Sequence, residues 1–247
     1  MPTSPDLSLL VPCYEEEASL EETLRRLVEH LEASRWSWEL IVVDDGSRDG
    51  TAEIARTFAG RDPRVVAAGY PRNRGKGGAL KEGFARASGA KIAFVDADLA
   101  YGPEAIDAVV EALEGGARFA AGERVSDAGY GPARRLASAL FGALLRQLLP
   151  TEDRDTQCGL KAFEAEAGRR LFEGLREEGF AFDVELFVLS RLSGLPVARV
   201  PVEMRHRAES RVRLGRDSLR MARALARIRW RLQRGEYAAT LEALAAP

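Results

Sequence analysis

The sequence predicts an α/β fold with a mainly parallel central sheet and helices on both faces. In the first half of the chain, apolar segments of strand length alternate with helical patterns, which is typical of βαβ units. The segment 39–43 is apolar at nearly every position, as expected for a strand that is buried on both faces. Ligands bind such sheets at the carboxyl ends of the strands. Polar residues at those ends are therefore the first candidates for function.

The elements of the first half follow in order. Four segments are predicted as strands: 8–11, 39–43, 64–68 and 91–95. Two helices are predicted at 19–33 and 77–87. Thr51 is a suitable cap for a helix after the second strand, Gly89 a suitable helix breaker, and Pro103 a suitable residue to open a further helix.

The second half is less regular. It contains predicted strands at 118–122 and 197–202 and predicted helices at 132–149, 180–192 and 215–234. Strand 197–202 is placed at a sheet edge because Pro201 cannot donate a ladder hydrogen bond. With no internal repeat and no low-complexity linker, we expect one domain over residues 1–214 and a C-terminal basic amphipathic helical extension over 215–247.

Composition excludes several classes of protein. A net charge of -2 argues against non-specific nucleic-acid binding. The two cysteines have no metal or redox spacing, and two histidines do not suggest a zinc site. The N-terminus lacks a signal peptide, and no apolar run reaches the roughly 18 to 20 residues that cross a bilayer. We expect a cytoplasmic protein, with peripheral contact at the cytoplasmic membrane face left open.

Asp96 and Asp98 directly follow the apolar segment 91–95. In an extended chain, side chains two positions apart point the same way, so both carboxylates leave the strand side by side. A divalent cation such as Mg²⁺ or Mn²⁺ that bridges phosphates satisfies such a pair. The pair predicts a nucleotide diphosphate held through a metal. An acidic pair on a solvated loop is the alternative.

Two further strand ends carry candidate residues. Tyr14 can stack on a nucleobase, and a carboxylate nearby can accept hydrogen bonds from base or ribose; the alternative is an exposed tyrosine before an acidic helix turn. Asp45 follows the second strand, and Gly46 permits close approach of a ligand to the backbone. A plain Asp-Gly turn is the alternative there.

Four segments in this order resemble a known family. They are Pro12-x-Tyr14-x-Glu16, Val42–Thr51, Asn73–Ala79 and Asp96–Leu99. Together they resemble the inverting family 2 glycosyltransferases with the GT-A fold, within which the polyprenyl-phosphate sugar synthases are most similar. The segments Asp155–Lys161 and Phe182–Leu186 are particularly similar to the dolichyl-phosphate β-glucosyltransferase branch. The resemblance covers roughly residues 7 to 213.

The resemblance implies a set of site residues. Those that bind the nucleotide sugar would be Pro12, Tyr14, Glu16, Asp45, Lys76, Asp96, Ala97, Asp98, Arg205 and Arg211. Asp96 and Asp98 would also hold the metal. Some relatives have a glutamine metal ligand where this chain has Ala100, so water or phosphate oxygens would complete the coordination shell.

A cluster of arginines suits an anionic acceptor, because guanidinium pairs phosphate oxygens bidentately. In the resembled family, positions matching Arg124, Arg134, Arg205 and Arg211 line the phosphate side of the site. A compositional preference for arginine is the alternative.

A lipid monophosphate is mostly ionised near pH 7, since its second pKa is about 6, so it would need no general base. The residues expected to act in catalysis are Asp98, Arg124, Arg134, Asp183 and Glu185. Of these, Asp183 and Glu185 would orient the sugar hydroxyls, or would be acids on a helix surface.

For two predicted helices, the sequence does not decide what each one packs against. The segment 132–149 would be either an interfacial helix that receives a polyprenyl chain or a buried core or dimer helix. The arginine-rich segment 215–234 would lie on anionic lipid, or would dock on the domain by its apolar face.

The function expected is transfer of a hexose from a nucleotide sugar to a polyprenyl phosphate with inversion. UDP-glucose is the first choice of donor and GDP-mannose the second. A soluble acceptor and a nucleotide-sugar-binding scaffold without turnover are the alternatives.

Overall fold

The computed structural model describes residues 4–125, 142, 145, 147–150, 155–204 and 216–245, with residues 216–218 described by their backbone alone. Within these ranges the strands are β1 (Leu7–Cys13), β2 (Trp38–Asp44), β3 (Val65–Gly69), β4 (Lys91–Val95), β5 (Phe119–Arg124), β6 (Leu160–Glu164) and β7 (Val197–Val202). The helices are α1 (Leu20–Ala33), α2 (Thr51–Arg61), α3 (Lys76–Arg86), α4 (Glu104–Glu114), α5 (Ala165–Gly174), α6 (Phe182–Leu192), α7 (Arg216–Gln233) and α8 (Ala238–Ala245).

The strands form one sheet in the order β3-β2-β1-β4-β6-β5-β7. The first four positions are parallel, β6 is antiparallel to both of its neighbours, and β5 pairs in parallel with β7. This confirms the predicted α/β class and the mainly parallel sheet. It also confirms the placement of the strand 197–202 at an edge, where the missing N–H of Pro201 costs no ladder bond.

Most predicted elements lie within a few residues of the observed ones. The sequence reading missed β6, α5 and α8. It was also wrong about Thr51, since Gly50 holds the cap position and Thr51 is the first residue of α2. Helix α3 ends at Arg86 with Ala87 as its cap, so Gly89 does not terminate it directly.

The core lies on both faces of the sheet. One cluster joins the sheet to α1, α2 and α4, and the other joins it to α3, α5, α6 and α8. The second cluster is rich in phenylalanine, with Phe119 stacked on Phe163 at a centroid distance of 4.4 Å. The ring of Phe182, the first residue of α6, lies 6.3 Å from that of Phe94 in β4 (centroid to centroid), which places α6 beside the strand that leads to Asp96.

The C-terminal helices pack against the rest of the chain. Leu225 and Ile228 of α7 are fully buried in a third cluster with Val184 and Val188 of α6. Tyr237, which precedes α8, is 1% exposed. This packing is the second alternative weighed for the segment 215–234. The division of the chain at residue 214 stays a prediction.

Most of the predicted helix 132–149 lies outside the described residues. Residues 142, 145, 147 and 148 are helical, and Leu145 and Leu149 are buried in the third cluster. In the described parts of the chain, every helix is too short or too polar to cross a membrane.

Candidate functional site

Three adjacent parallel strands bring the candidate residues to one edge of the sheet. In the order β2-β1-β4, each strand ends just before a predicted site residue: Asp45, Tyr14 and Asp96. Among the described residues, Glu15 (φ 54°) and Leu99 (φ 45°) are the non-glycine residues with positive φ. Both follow these strands, and such strained backbone concentrates at functional sites.

The loop after β1 is held by the loop after β2. The N–H groups of Glu15, Glu16 and Glu17 donate to Ser47 Oγ at 2.9 Å, Thr51 Oγ1 at 2.8 Å and Asp49 Oδ2 at 3.2 Å. The polar residues after β2 therefore serve as a bracket for the segment that carries Tyr14. Tyr14 as a whole residue is 37% exposed, so its side chain is accessible to a stacking partner.

Asp45 is buried and supports a third loop. Its carboxylate accepts hydrogen bonds from Tyr70 Oη at 2.6 Å, Asn73 Nδ2 at 2.9 Å, and the N–H groups of Arg74 and Gly75, both at 2.8 Å. These four donors fill the usual acceptor positions of a carboxylate. The predicted contact of Asp45 with a nucleoside stays a prediction, and the structure gives Asp45 a positioning role for the loop that leads into α3.

That loop delivers Lys76 to Asp96. Gly75 has φ 96°, and a Cβ there would lie 2.7 Å from the Glu178 carbonyl oxygen, so glycine is required at this turn. Lys76 Nζ lies 2.5 Å from Asp96 Oδ1. It also lies 5.5 Å from the ring centroid of Phe94 and 5.9 Å from that of Phe182. Burial lowers the pKa of Lys76, but Asp96 and Asp183 outweigh it and the pKa is raised.

Gly159 covers the other oxygen of Asp96. A Cβ on Gly159 would lie 1.8 Å from Asp96 Oδ2, and the Asp96 N–H donates to the Gly159 carbonyl at 3.2 Å. The segment 155–161 stood out in the sequence only by resemblance. The structure supplies the physical reason for its glycine, which is close backbone approach to a carboxylate.

Asp98 is exposed and accepts a hydrogen bond from the Ala100 N–H at 3.1 Å. Partial desolvation, followed by the charge of Asp96, raises the pKa of Asp98. A site that holds a cation reverses that balance. Ala97, between the two acids, is buried, and its carbonyl accepts from Thr23 Oγ1 at 2.6 Å. The carboxylates are thus presented from a fixed backbone.

The two acids fit a Mg²⁺ or Mn²⁺ ion that keeps other ligands. The described residues contain no group of three or more His, Cys, Asp or Glu that could hold a metal. Magnesium is commonly held by one or two carboxylates together with substrate phosphates and water. Asp96 and Asp98 match that pattern, and Ala100 adds no ligand.

A second ion pair lies directly behind the first. Lys161 Nζ lies 2.7 Å from Asp183 Oδ1 and donates to the Cys158 carbonyl at 2.6 Å. Both side chains are buried, at 0% and 4% exposure. We call Lys76, Asp96, Asp98, Lys161 and Asp183 the strand-end cluster. Its three acids and two lysines leave one net negative charge. Sequence reasoning missed Lys161, although a lysine inside the apolar segment 160–163 was a usable signal.

Asp183 and Glu185 lie apart in function. Both are buried, so the helix-surface alternative for these acids is wrong. Asp183 belongs to the strand-end cluster through its ion pair with Lys161. Glu185 accepts from the N–H groups of Arg176, at 2.9 and 3.0 Å, and Glu177, at 2.8 Å, and from Tyr237 Oη. These contacts belong to the packing of the C-terminal helices, and they leave the predicted sugar contact of Glu185 without structural support.

Glu177 completes that region. Arg227 donates to it through Nε at 3.0 Å and Nη2 at 2.6 Å, and Arg231 through Nη1 at 2.9 Å. We call Glu177, Glu185, Arg227, Arg231 and Tyr237 the C-terminal corner. Two of the arginines that suggested a lipid surface are therefore paired with a buried glutamate of the domain.

Arg124 is held by a carboxylate. Its Nε and Nη2 lie 2.7 Å from Asp155 Oδ2 and Oδ1, a bidentate pair. Burial opposes ionisation of Asp155, but Arg124 outweighs it and lowers the pKa of that acid. Arg134, Arg205 and Arg211 lie outside the described residues. The arginine site for an acceptor phosphate stays a prediction.

The chain was compared with known proteins. The family model described as glycosyl transferase family 2 matches residues 8–172. Glycosyltransferase AglD of Haloferax volcanii is 33% identical over 236 residues, which cover 92% of this chain and 37% of that protein. Human dolichyl-phosphate β-glucosyltransferase is 35% identical over 219 residues, 79% of this chain and 66% of that enzyme. The chain therefore spans between about a third and two thirds of the length of these relatives.

Solved structures support the fold. Glucosyl-3-phosphoglycerate synthase of Mycobacterium tuberculosis, in complex with Mn²⁺, UDP-glucose and phosphoglyceric acid, aligns with a TM-score of 0.69. The alignment covers 92% of this chain and 80% of that chain at 23% identity. At this identity the likeness concerns the GT-A architecture.

Proposed function

The chain belongs to glycosyl transferase family 2, and we propose that it transfers a hexose from a nucleotide sugar to a polyprenyl phosphate with inversion at the anomeric carbon. The observation that carries this proposal is the pair Asp96 and Asp98 at the end of β4, beside Lys76 and next to the loop of Tyr14. Asp96 and Asp98 would hold a divalent cation, which would supply charge neutralisation for the departing diphosphate.

The residues around that pair divide the work of binding. The exposed ring of Tyr14 is positioned to stack on a nucleobase, and Pro12 and Glu16 belong to the same strand end and loop. Lys76 carries a positive charge to the diphosphate side of the cluster. Asp183 is paired with Lys161, so we assign it to holding the lysines in place, and we propose that it also orients a sugar hydroxyl.

We infer that the acceptor is a phosphate monoester. A phosphate oxygen that is already ionised attacks the anomeric carbon without a general base. The reaction then depends on alignment and on electrostatic stabilisation of the diphosphate as it leaves. Arg124, with Arg134, Arg205 and Arg211, is proposed to hold the acceptor phosphate. For Arg124 this requires that Asp155 shares the guanidinium with the ligand.

We propose glucose as the sugar and UDP as the nucleotide. The support is the similarity to dolichyl-phosphate β-glucosyltransferases, such as the human enzyme at 35% identity and that of Dictyostelium discoideum, at 30% over 91% of this chain. GDP-mannose is the competing donor. Thermal unfolding with a panel of UDP-glucose, GDP-mannose and their nucleotides separates the two by which ligand raises the melting temperature with Mn²⁺ present.

Transfer itself is tested by UDP release in the presence of Mn²⁺ and polyprenyl phosphate. We expect release with the wild type and with Glu111→Gln, an exposed acid on α4, but not with Asp98→Asn. Hydrolysis or transfer only to soluble acceptors would reject the lipid acceptor. Donor binding without any turnover would reject the enzyme and leave a nucleotide-sugar-binding protein.

We further propose peripheral contact with the cytoplasmic membrane face through α7. The helix turns Leu225 and Ile228 inward, and it leaves Leu219 and Trp230 exposed at 54% and 50%. Arg223 is exposed on the same side. Aromatic and aliphatic side chains among arginines suit the surface of an anionic bilayer.

Flotation with phosphatidylglycerol vesicles tests this contact. Because α7 is part of the core, truncation before it would damage the fold, so point substitutions are the sharper test. We expect Leu219→Ser with Trp230→Ser to reduce flotation, and Leu192→Ser, a 43% exposed leucine on α6, to leave it unchanged. Equal flotation of all three proteins would reject the proposed surface.

A further inference from the structure

Asp96 is already paired with a positively charged side chain of the protein. Lys76 Nζ lies 2.5 Å from Oδ1, and the backbone of Gly159 closes over Oδ2, where even a Cβ would lie 1.8 Å away. Both oxygens of Asp96 are therefore in contact with the protein. Asp98 has a different environment, since it is exposed to solvent.

Lys76 is enclosed on several sides. Its side chain is 14% exposed, and the ring centroids of Phe94 and Phe182 lie 5.5 and 5.9 Å from Nζ. The turn that positions it is fixed by Gly75 against the Glu178 carbonyl. An ammonium that is paired with a carboxylate and lies within about 6 Å of two aromatic rings is stabilised by both, so it does not leave Asp96 without a replacement anion.

A divalent cation that arrives alone meets this lysine. To reach Asp96 it must lie within a few ångströms of the ammonium, and like charges at that distance repel strongly in a partly desolvated site. A cation that arrives with a diphosphate brings negative charge to which the ammonium can turn. Asp183, behind Lys76, also offers it a favourable field.

We propose that Lys76 is the resident counter-ion of Asp96, and that a divalent cation gains Asp96 only by displacing it in company with the donor diphosphate. This inference rests on the proposed function, because it describes how the same site takes up its metal. Its consequence is ordered binding. The protein alone binds the divalent cation weakly, through Asp98, and the bound nucleotide raises the affinity for that cation.

The test is a Mn²⁺ titration followed by electron paramagnetic resonance, with no sugar and no acceptor present. We expect Lys76→Met to bind Mn²⁺ about tenfold more tightly than the wild type in the absence of nucleotide, because one repulsive charge is removed. Lys91→Met, which removes a lysine paired with Glu114 at 3.3 Å, is the matched control and should bind as the wild type does. Equal or weaker binding by Lys76→Met would overturn the proposal.

Two further measurements cover a failure of Lys76→Met to fold. Lys76→Arg keeps the charge, so it should bind Mn²⁺ alone as weakly as the wild type, and tight binding by this variant would overturn the proposal. The wild type should bind Mn²⁺ about tenfold more tightly with UDP than without it. A wild type that transfers hexose but binds Mn²⁺ equally with and without UDP would overturn the ordered binding alone. A wild type that obeys the order but transfers nothing would overturn the proposed function alone.

Discussion

Two groups of paired acids in this protein have similar chemistry and different roles. The strand-end cluster places Asp96 and Asp183 opposite Lys76 and Lys161. The C-terminal corner places Glu177 opposite Arg227 and Arg231, and Glu185 opposite two backbone N–H groups and Tyr237. In both groups these carboxylates are paired; Asp183, Glu177 and Glu185 are buried, as is usual only for charges that have partners, whereas the Asp96 side chain is 38% exposed.

The two groups differ in whether they leave a carboxylate open to solvent. In the corner, every carboxylate oxygen has a donor from the protein, and the acids join α7 and the residues before α8 to the segment 176–185. In the strand-end cluster, Asp98 adds a third acid that is open to solvent. An excess of negative charge beside strained backbone favours binding of a cation, whereas a charge-balanced group favours a structural role. Charge balance and access therefore separate the two roles better than residue type does.

The largest expected effect is on catalysis in the strand-end cluster. Asp98→Asn removes the more accessible of the two proposed metal ligands and should lower kcat/KM for UDP-glucose by about a thousandfold or more. Because Asp98 is exposed, the free energy of unfolding should change little. Comparison with Glu111→Gln by steady-state kinetics and urea unfolding checks both. A fall in the free energy of unfolding large enough to explain the loss of activity would contradict the separate roles of the two regions.

The converse substitution lies in the corner. Glu185→Ala leaves buried donors unpaired and should lower the free energy of unfolding by about 3 kcal/mol. Chemical denaturation of this variant and of Glu173→Ala, an exposed acid on α5, measures the effect. If Glu185 instead orients the sugar, the variant would fold normally and its kcat would fall. That result would mean that the C-terminal corner also takes part in catalysis.

A smaller effect is expected at the contact that seats Asp96. Gly159→Ala places a methyl group where Asp96 Oδ2 now lies, so the carboxylate must move, and displacements of about 1 Å can cost about a hundredfold in rate. Gly179→Ala is the matched control, because a Cβ there meets nothing within 4 Å. Transfer rates and the Mn²⁺ affinity with UDP present are measured together. Unchanged values for Gly159→Ala would mean that the position of Asp96 is not critical.

The smallest effect is a pH dependence in the corner. Burial raises the pKa of Glu185 above its ordinary value of 4.5, although its hydrogen bonds oppose the shift. The folded protein therefore holds this proton more strongly than the unfolded chain does. The stability of the wild type relative to Glu185→Gln should rise as the pH falls through the raised pKa, and should level off near pH 4.5.

Urea unfolding of both proteins between about pH 7 and about pH 5 measures this difference. A relative stability that falls with decreasing pH would show that the hydrogen bonds, and not burial, dominate at Glu185.

Much of the fold could be predicted from the sequence, because apolar periodicity and strand-end residues are local signals. The strands at 39–43 and 91–95 and the acids that follow them were recognisable in this way. Strand β6 was not, since it contains the buried Lys161 and pairs antiparallel with two strands, β4 and β5, that lie far from it in the chain.

The sequence by itself determined that Tyr14, Asp45 and Asp96 reach one edge of the sheet, since a parallel sheet brings its strand ends together. Only the tertiary structure decided what each acid faces. Asp183 and Glu185 are two residues apart on one helix, yet one meets Lys161 and the other meets Tyr237. Residues two positions apart on a helix point in divergent directions, and their partners come from distant segments whose packing no local pattern records.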